Sequence, residues 1–287
     1  MSLVIHDKTA AQLDKLATKP PHALLIVAPE GAGKRAVALA LIAQLLSTTE
    51  AKLVNTAELL TVTPDKDEAF GIDSVRTAQH FMTRKTSHSE SRVVQRIAFL
   101  PDAHNMTREA QNALLKLLEE PPAGSMLILT ATSEQAMLPT IISRCQVLKL
   151  QKPTNEQLTQ ALAAAGYDAP AIELAVRISD GWPSLALAML DPKAEHPFAA
   201  ATEQARGLLQ QTTFERLSSV DALAKKRELC NDLCYILQQM AHIALQTANE
   251  KTLDRWQRVL TASYACQQAL GARVNAKLAM TQLMLSL

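Results

Sequence analysis

The chain has 287 residues, a formal net charge of +1 and a hydrophobic fraction of 48%, values typical of a globular protein with a real core and about two domains. The balanced charge excludes the basic excess that marks a stand-alone nucleic-acid-binding protein, and there is no acidic tail. No apolar run approaches the roughly 20 residues of a membrane helix, and the N-terminus lacks the pattern of a signal peptide. We therefore expect a cytoplasmic protein with no membrane contact.

The first half of the chain alternates short apolar runs with amphipathic segments. This alternation predicts a parallel sheet covered by helices on both faces. A first helix is predicted over about residues 7–18, ending before Pro20 and Pro21. The predicted strands are Ala23–Val27, Leu59–Val62, Arg96–Leu100, 125–132 and Gln146–Leu150.

Three helices are predicted between these strands, at Ala36–Leu46, at 73–84 and after Thr107. In the second, we expect Val75, Ala78 and either Phe81 or Met82 to face the core. The third has Thr107 as its N-cap and ends at Pro121. Its apolar face is Ala110, Ala113, Leu114, Leu117 and Leu118, and its solvated or subunit-facing edge is Lys116, Glu119 and Glu120.

From residue 152 the strand patterns stop. Thr154 stands three residues before Gln157, which predicts a capping box, and short helices follow to about Leu190. Residues 191–197 read as a linker, and 198–287 are helical throughout. The helix-core positions predicted in this tail are Leu229, Leu233, Leu237 and Met240. Three domains are therefore expected, at 1–151, 152–191 and 198–287.

Residues 28–35, APEGAGKR, nearly match the phosphate-binding pattern G-x-x-x-x-G-K-S/T. The predicted strand, glycine loop and helix around them are the context in which this pattern binds phosphate. Gly31, Gly33 and Lys34 are present, whereas Ala28 replaces the first glycine and Arg35 replaces the hydroxyl residue. A guanidinium has no lone pair for Mg²⁺, so Arg35 removes one metal ligand.

The second half of such a site is an acidic residue at the end of another strand. Here the strand Arg96–Leu100 is followed by Pro101, and Asp102 is the only carboxylate at that point. Because metal clamping carries much of phosphoryl-transfer catalysis, losing both kinds of ligand argues against ATP hydrolysis at this loop. Residual binding of nucleotide or phosphate at Gly31, Gly33 and Lys34 stays open.

A second candidate residue is Arg144, in the segment Ser143-Arg144-Cys145 just before the last predicted strand. One interpretation is an ordinary surface arginine near a strand start. The other is an arginine finger that reaches the nucleotide of a neighbouring subunit. Local sequence does not separate the two.

The cysteines are Cys145, Cys230, Cys234 and Cys266, with no C-x-x-C pair among them. Cys230 and Cys234 are four apart in a helical pattern, and further zinc ligands at suitable spacing are missing. We expect buried, reduced thiols and no zinc.

Taken together, these segments resemble the bacterial DNA polymerase III clamp-loader family of AAA+ proteins. The resemblance is carried by PHALLIVAPEGAGKRAVA, by IAFLPDAHNMTREAQNALLKLLEEPP, by MLILTATSEQAMLPTIISRC and by DGWPSLALAML, and it covers about residues 8–190. It implies an α/β AAA+ domain with a RecA-like parallel sheet, a small helical lid and an all-helical C-terminal collar domain. Some of the apolar face of the tail would then lie in the collar between subunits.

Within that family, active subunits carry an arginine in a G-x-x-R segment of the lid, where this chain has Gly181-Trp182-Pro183-Ser184. The loop hydroxyl, the acidic ligand and this arginine are thus replaced together, while Ser143-Arg144-Cys145 is kept. By resemblance, this combination indicates a non-hydrolysing stator whose Arg144 completes the ATP site of an adjacent motor subunit. Family members often carry a cysteine-based zinc module in the region of residues 47–65, which has no cysteine here.

The resemblance implies motor and delta-type clamp-loader subunits as partners, and the sliding clamp and primer-template DNA through the complex. No cofactor is required by this chain itself, and ATP with Mg²⁺ belongs to the neighbouring subunit. Two alternatives remain at this stage: an active ATP-hydrolysing motor subunit of the same family, and a stand-alone nucleoside or small-molecule kinase that uses the loop. The helical lid and tail argue against the kinase.

Overall fold

The computed structural model describes residues 4–63, 70–84, 93–191, 198–247, 249–272 and 274–287. The chain divides into two compact units, Met1–Pro153 and Thr154–Leu287. Within the described residues, no helix is long and apolar enough to cross a membrane. The predicted linker, apart from Asp191, lies outside the described residues.

The first unit is built on a five-stranded sheet in the order β2-β3-β4-β1-β5. The four pairings between neighbouring strands are all parallel, which confirms the prediction from the alternating pattern. The strands are β1 (Ala23–Val27), β2 (Leu59–Thr61), β3 (Arg96–Leu100), β4 (Ser125–Ala131) and β5 (Gln146–Lys149). The two edge strands, β2 and β5, each end one residue earlier than predicted.

Helices cover both faces of this sheet. They are α1 (Asp7–Thr18), α2 (Lys34–Leu45), α3 (Glu50–Leu53), α4 (Ile72–Thr83), α5 (Arg108–Glu119) and α6 (Pro139–Ile142). Short 3-10 turns follow β3 at Ala103–Asn105 and β4 at Glu134–Ala136. Helix α2 begins at Lys34, two residues before the predicted start, because Gly33 takes a left-handed conformation that turns the loop directly into the helix.

Alternate residues of the central strands enter two separate cores, as the period of a strand requires. Leu25 of β1 packs in one core with α4 and α5, and Leu24 packs in the other with α1 and α2. These two layers of apolar contacts hold the ends of the strands, and the loops that leave them, in fixed positions.

Helices α4 and α5 largely confirm their predicted faces. Val75, Ala78 and Met82 of α4 are buried, and Phe81 is partly buried. On α5, the Oγ1 of Thr107 accepts a hydrogen bond from the amide of Ala110 at 3.1 Å, which confirms the N-cap. The predicted apolar face of α5 is buried at four positions, Ala110, Leu114, Leu117 and Leu118, and half-buried at Ala113. The predicted polar edge is exposed at Lys116, Glu119 and Glu120.

The second unit is helical along its described residues. It contains α7 (Asn155–Ala164), α8 (Ala169–Ile178), α9 (Pro183–Leu190), α10 (Ala199–Gln210), α11 (Thr213–Ala224), α12 (Arg227–Thr247), α13 (Glu250–Gly271) and α14 (Ala276–Ser286). The capping box of Thr154 and Gln157 is present as predicted.

The core of the second unit joins the segments predicted as lid and collar. Leu233 and Leu237 of α12 are fully buried there, and Leu229 and Met240 pack against them while partly exposed. Leu185 and Ala188 of α9 lie in the same core. The division into a lid at 152–191 and a collar at 198–287 therefore stays a prediction.

Candidate functional site

The loop after β1 contains two glycines in the left-handed conformation. Gly31 and Gly33 have φ values of 76° and 85°, which side chains disfavour, so glycine is required at both. Ala28 instead continues the strand pairing, because its amide donates to the carbonyl of Ala131 at 3.2 Å. A methyl group is therefore accommodated at the first position of the motif.

The lysine of the motif is engaged by its own loop. Lys34 is only 6% exposed, and its Nζ donates to the carbonyl of Pro29 at 3.2 Å. The same Nζ lies 3.4 Å from Oε2 of Glu30, so an internal carboxylate neutralises the ammonium. A phosphate at this loop would have to compete with Glu30. Arg35, in the first turn of α2, is exposed.

The end of β3 carries the second predicted half of the site. Pro101 is buried, and Asp102 adopts a left-handed conformation with φ 50° and ψ 44°. The amide of Asp102 donates to the buried Oγ1 of Thr130 at 2.8 Å, which fixes this turn against the end of β4. The Asp102 side chain is exposed.

The loop after β1 and the turn after β3 both attach to the end of β4, through the bonds of Ala28 to Ala131 and of Asp102 to Thr130, and His104 senses charges from both. Burial lowers the pKa of the His104 imidazole, with a smaller lowering from Lys34, against the opposing effect of Asp102 and Glu30. Its Nδ1 is buried with no hydrogen-bond partner among the residues that the structure describes. The site thus contains the carboxylate of Asp102 at the end of β3 and the neutral imidazole of His104. It also contains Lys34, whose ammonium is paired with Glu30 of the same loop.

Ser184 belongs to the second unit. It follows Pro183 in the first turn of α9, after Gly181 with its φ of 72°, and is half-buried. A serine hydroxyl carries no positive charge, so this position supplies no cation to a phosphate.

Arg144 lies between α6 and β5 and is 37% exposed. Its Nη2 contacts Oε1 of Glu119 at 2.8 Å, and its Nη1 donates to the carbonyl of Thr140 at 3.1 Å and to the Oγ of Ser143 at 3.4 Å. The guanidinium is therefore held by three groups of its own chain while part of it remains at the surface.

The sheet separates Arg144 from the loop of its own chain. In the parallel register, Leu24 pairs with Gln146 and Val27 pairs with Lys149, so Arg144 precedes the amino end of β5. The glycine loop leaves β1 at its carboxyl end, beyond Val27. The three residue-to-residue steps from Leu24 to Val27 alone correspond to about 10 Å along the strand. This geometry favours a partner for Arg144 other than its own loop.

The cysteines have the character of packing residues. Cys230, Cys234 and Cys266 are buried, Cys145 is half-buried, and all four are free thiols. Burial raises the pKa of Cys145 to about 12 and that of Cys230 to about 11, so both stay protonated at neutral pH. The described part of the chain contains no cluster of metal-ligating side chains. The absence of zinc remains a prediction.

Sequence reasoning singled out Gly31, Gly33, Lys34 and Arg144 but missed two groups that define their surroundings. Glu30 is four residues before Lys34, a spacing that could have indicated the pair had the loop conformation been known. His104 gave no signal, because its position beside Glu30 and Lys34 depends on strands far apart in sequence.

Comparison with known proteins identifies relatives of this chain. The family model described as DNA polymerase III, delta subunit, matches residues 6–154. DNA polymerase III subunit delta' of Haemophilus influenzae is 32% identical over 130 residues, 45% of this chain and 38% of that protein. The Pseudomonas aeruginosa subunit delta' is 31% identical over 207 residues, 66% of this chain and 62% of that protein. The chain thus covers less than two thirds of the length of these relatives.

A solved structure supports the fold along the whole chain. The DNA polymerase III gamma subunit-related protein of Thermotoga maritima covers 97% of this chain and 98% of its own, with a TM-score of 0.60 and 19% identity. At that identity the likeness concerns the fold alone, which in this chain is a parallel sheet covered by helices and followed by an all-helical unit. Because the family model matches just over half of the chain, the chain belongs to the DNA polymerase III delta subunit family.

Proposed function

We propose that this chain is a non-hydrolysing stator subunit of a bacterial replication clamp loader. In this role it helps to load the sliding clamp onto primed DNA and supplies Arg144 to the ATP site of a neighbouring subunit. Membership of the DNA polymerase III delta subunit family supports the clamp-loader role. Its relatives include proteins named DNA polymerase III subunit delta' in Haemophilus influenzae, Escherichia coli and Pseudomonas aeruginosa.

The side chains around the glycine loop support the absence of hydrolysis. Arg35 stands where a hydroxyl would ligate Mg²⁺, and Pro101 stands where a carboxylate would follow β3. Lys34 is already paired with Glu30. Gly31 and Gly33 keep the loop shape, so weak binding of nucleotide or phosphate at Gly31, Gly33 and Lys34 is the most that this site would support.

The placement of Arg144 is the observation that carries the proposal. It is exposed in part, and it precedes the amino end of β5, whereas its own loop leaves the carboxyl end of β1. An arginine in this position is suited to stabilise charge on a phosphate held by another chain. ATP and Mg²⁺ would then be bound by the neighbouring subunit, with no cofactor required here.

The partners proposed are motor and delta-type clamp-loader subunits, with the clamp and primer-template DNA contacted through the complex in the cytoplasm. A near-neutral net charge suits a protein whose DNA contact is shared with other subunits. The alternative function is an active motor subunit of the same loader, and the intact glycine geometry favours it.

The test is Arg144→Ala in a loader reconstituted with the motor and delta-type subunits of the same organism. We expect the DNA-stimulated ATPase at the adjacent site to fall by about tenfold or more, because a charge-stabilising arginine is removed from the transition state. Assembly, measured by the mass of the complex, should be unchanged.

Arg144→Lys is the matched control, since it keeps the charge but loses the planar fork. Its activity should lie between those of the wild type and Arg144→Ala. Wild-type ATPase in an intact Arg144→Ala complex would remove the finger role.

A further inference from the structure

The guanidinium of Arg144 forms an ion pair with one carboxylate, that of Glu119. Oε1 of Glu119 lies 2.8 Å from Nη2 of Arg144, and the carbonyl of Thr140 accepts from Nη1 at 3.1 Å. Both terminal nitrogens of the guanidinium are therefore engaged, Nη2 by a charged partner and Nη1 by the backbone and by the Oγ of Ser143 at 3.4 Å. The remaining N–H donors of the fork are available to an external anion.

The backbone positions of this pair are fixed by packing. Glu119 is the last residue of α5, whose Leu117 and Leu118 are buried in the same core as Ile141 of α6. The side chain of Gln111 adds a hydrogen bond from α5 to the start of α6, accepting from the amide of Leu138 at 2.9 Å. The two segments that carry Glu119 and Arg144 are thus joined by apolar contacts and by a buried polar contact.

The exposure of the Glu119–Arg144 ion pair indicates whether Glu119 withholds Arg144 from an incoming phosphate or orients it towards that phosphate. The side chains of Glu119 and Arg144 are 52% and 37% exposed, and an ion pair this exposed is too weak to keep Arg144 from a phosphate. The pair is sufficient to restrict the long, flexible side chain of Arg144 to fewer rotamers before a phosphate binds. Such ordering lowers the entropy cost of bringing the guanidinium to the reacting group.

We infer that Glu119 is a positioning residue for Arg144, orienting the guanidinium for a nucleotide bound by the neighbouring subunit. This inference rests on the proposed function of Arg144. Glu119 acts through Arg144 and does not itself contact the nucleotide.

The test uses the reconstituted loader with Glu119→Ala, Glu119→Gln, Arg144→Ala and the double variant. Glu119→Ala should lower kcat of the DNA-stimulated ATPase by about two- to fivefold, the range available from an exposed ion pair, with KM for ATP unchanged. Glu119→Gln should recover part of this loss, because the amide oxygen still accepts from Nη2. The double variant should be no slower than Arg144→Ala alone.

Glu120→Ala is the matched control, since Glu120 is the adjacent exposed carboxylate on the same helix end and is not the one paired with Arg144. It should behave as wild type. A wild-type or raised kcat in Glu119→Ala, while Arg144→Ala is slow, would overturn the positioning role and leave the finger intact. An additive loss in the double variant would also overturn it. Wild-type kcat in Arg144→Ala would instead remove the proposed function itself.

Discussion

At the scale of single residues, the glycine loop differs from a working phosphate site more by its charges than by its shape. Gly31 and Gly33 hold the expected left-handed conformations, and Lys34 is in place. The ammonium of Lys34, however, is neutralised by Glu30 within the same loop. Half-buried His104 has a lowered pKa and so favours its neutral form, which adds no positive charge to that of Arg35 at the start of α2.

His104 gives a prediction about pH. Because burial holds its pKa below the ordinary value of 6.5 in the folded chain, the unfolded chain binds the proton first as pH falls. The neutral imidazole therefore contributes stability that is present above about pH 6.5 and is lost as the pH falls below it. Unfolding by urea, followed at several pH values between about 7.5 and 5.5, should show a steeper loss of stability in the wild type than in His104→Asn.

The matched control is His80→Asn, which changes an exposed histidine on α4 and should follow the wild-type pH profile. A constant difference between wild type and His104→Asn across this range would contradict the prediction.

At the scale of elements, helix α5 runs from the carboxyl end of the sheet, where β3 ends, to the amino end, where Arg144 lies. It begins after the turn that contains Asp102 and His104, with Thr107 as its N-cap, and ends at Glu119 beside Arg144. Its buried face packs in the core shared with the strands, so the position of Glu119 depends on the register of the whole helix. A substitution at the start of α5 is therefore expected to change the stability of the fold. A substitution at its end is expected to change the orientation of Arg144.

Thr107→Ala should lower the free energy of unfolding by about 1 kcal/mol, because the amide of Ala110 loses the side-chain oxygen that caps it. Denaturant unfolding followed by circular dichroism measures this difference. Thr107→Ser keeps a hydroxyl at the cap and should differ from the wild type by only a few tenths of a kcal/mol at about the same midpoint. Equal losses in both variants would show that the hydroxyl does not stabilise the helix.

At the scale of the whole molecule, the three positions on which our proposal of a non-hydrolysing subunit rests are far apart in sequence. Arg35 and Pro101 lie in the first unit, and Ser184 lies in the second. No single substitution would supply the missing hydroxyl, carboxylate and arginine together. The ATPase of the complex is therefore assigned to its other subunits in our proposal.

The isolated chain should turn over no ATP in the presence of Mg²⁺. Arg35→Thr restores the hydroxyl ligand but leaves Pro101 and Ser184, so it should also be inactive, because the carboxylate that completes the metal site is still missing. Phosphate release measured against Lys34→Ala, which lacks the loop cation, gives the background. Mg²⁺-dependent turnover by the wild type above that background would favour the motor subunit.

The sequence by itself determined the five strands and the longer helices of the first unit, because alternating strand and helix periods and caps such as Thr107 are local properties. The four-residue helices α3 and α6 were not predicted, because one turn is too short to show a helical period. The sequence also predicted a loop poor in metal ligands, because Arg35 and Pro101 cannot ligate Mg²⁺ in any fold, and it singled out Arg144 only through the resemblance. Only the tertiary structure decided the strand order, the burial of His104, and the pairing of Glu119 with Arg144 across α5 and α6. These depend on side chains that are distant in sequence and are brought together by packing of the sheet and its helices.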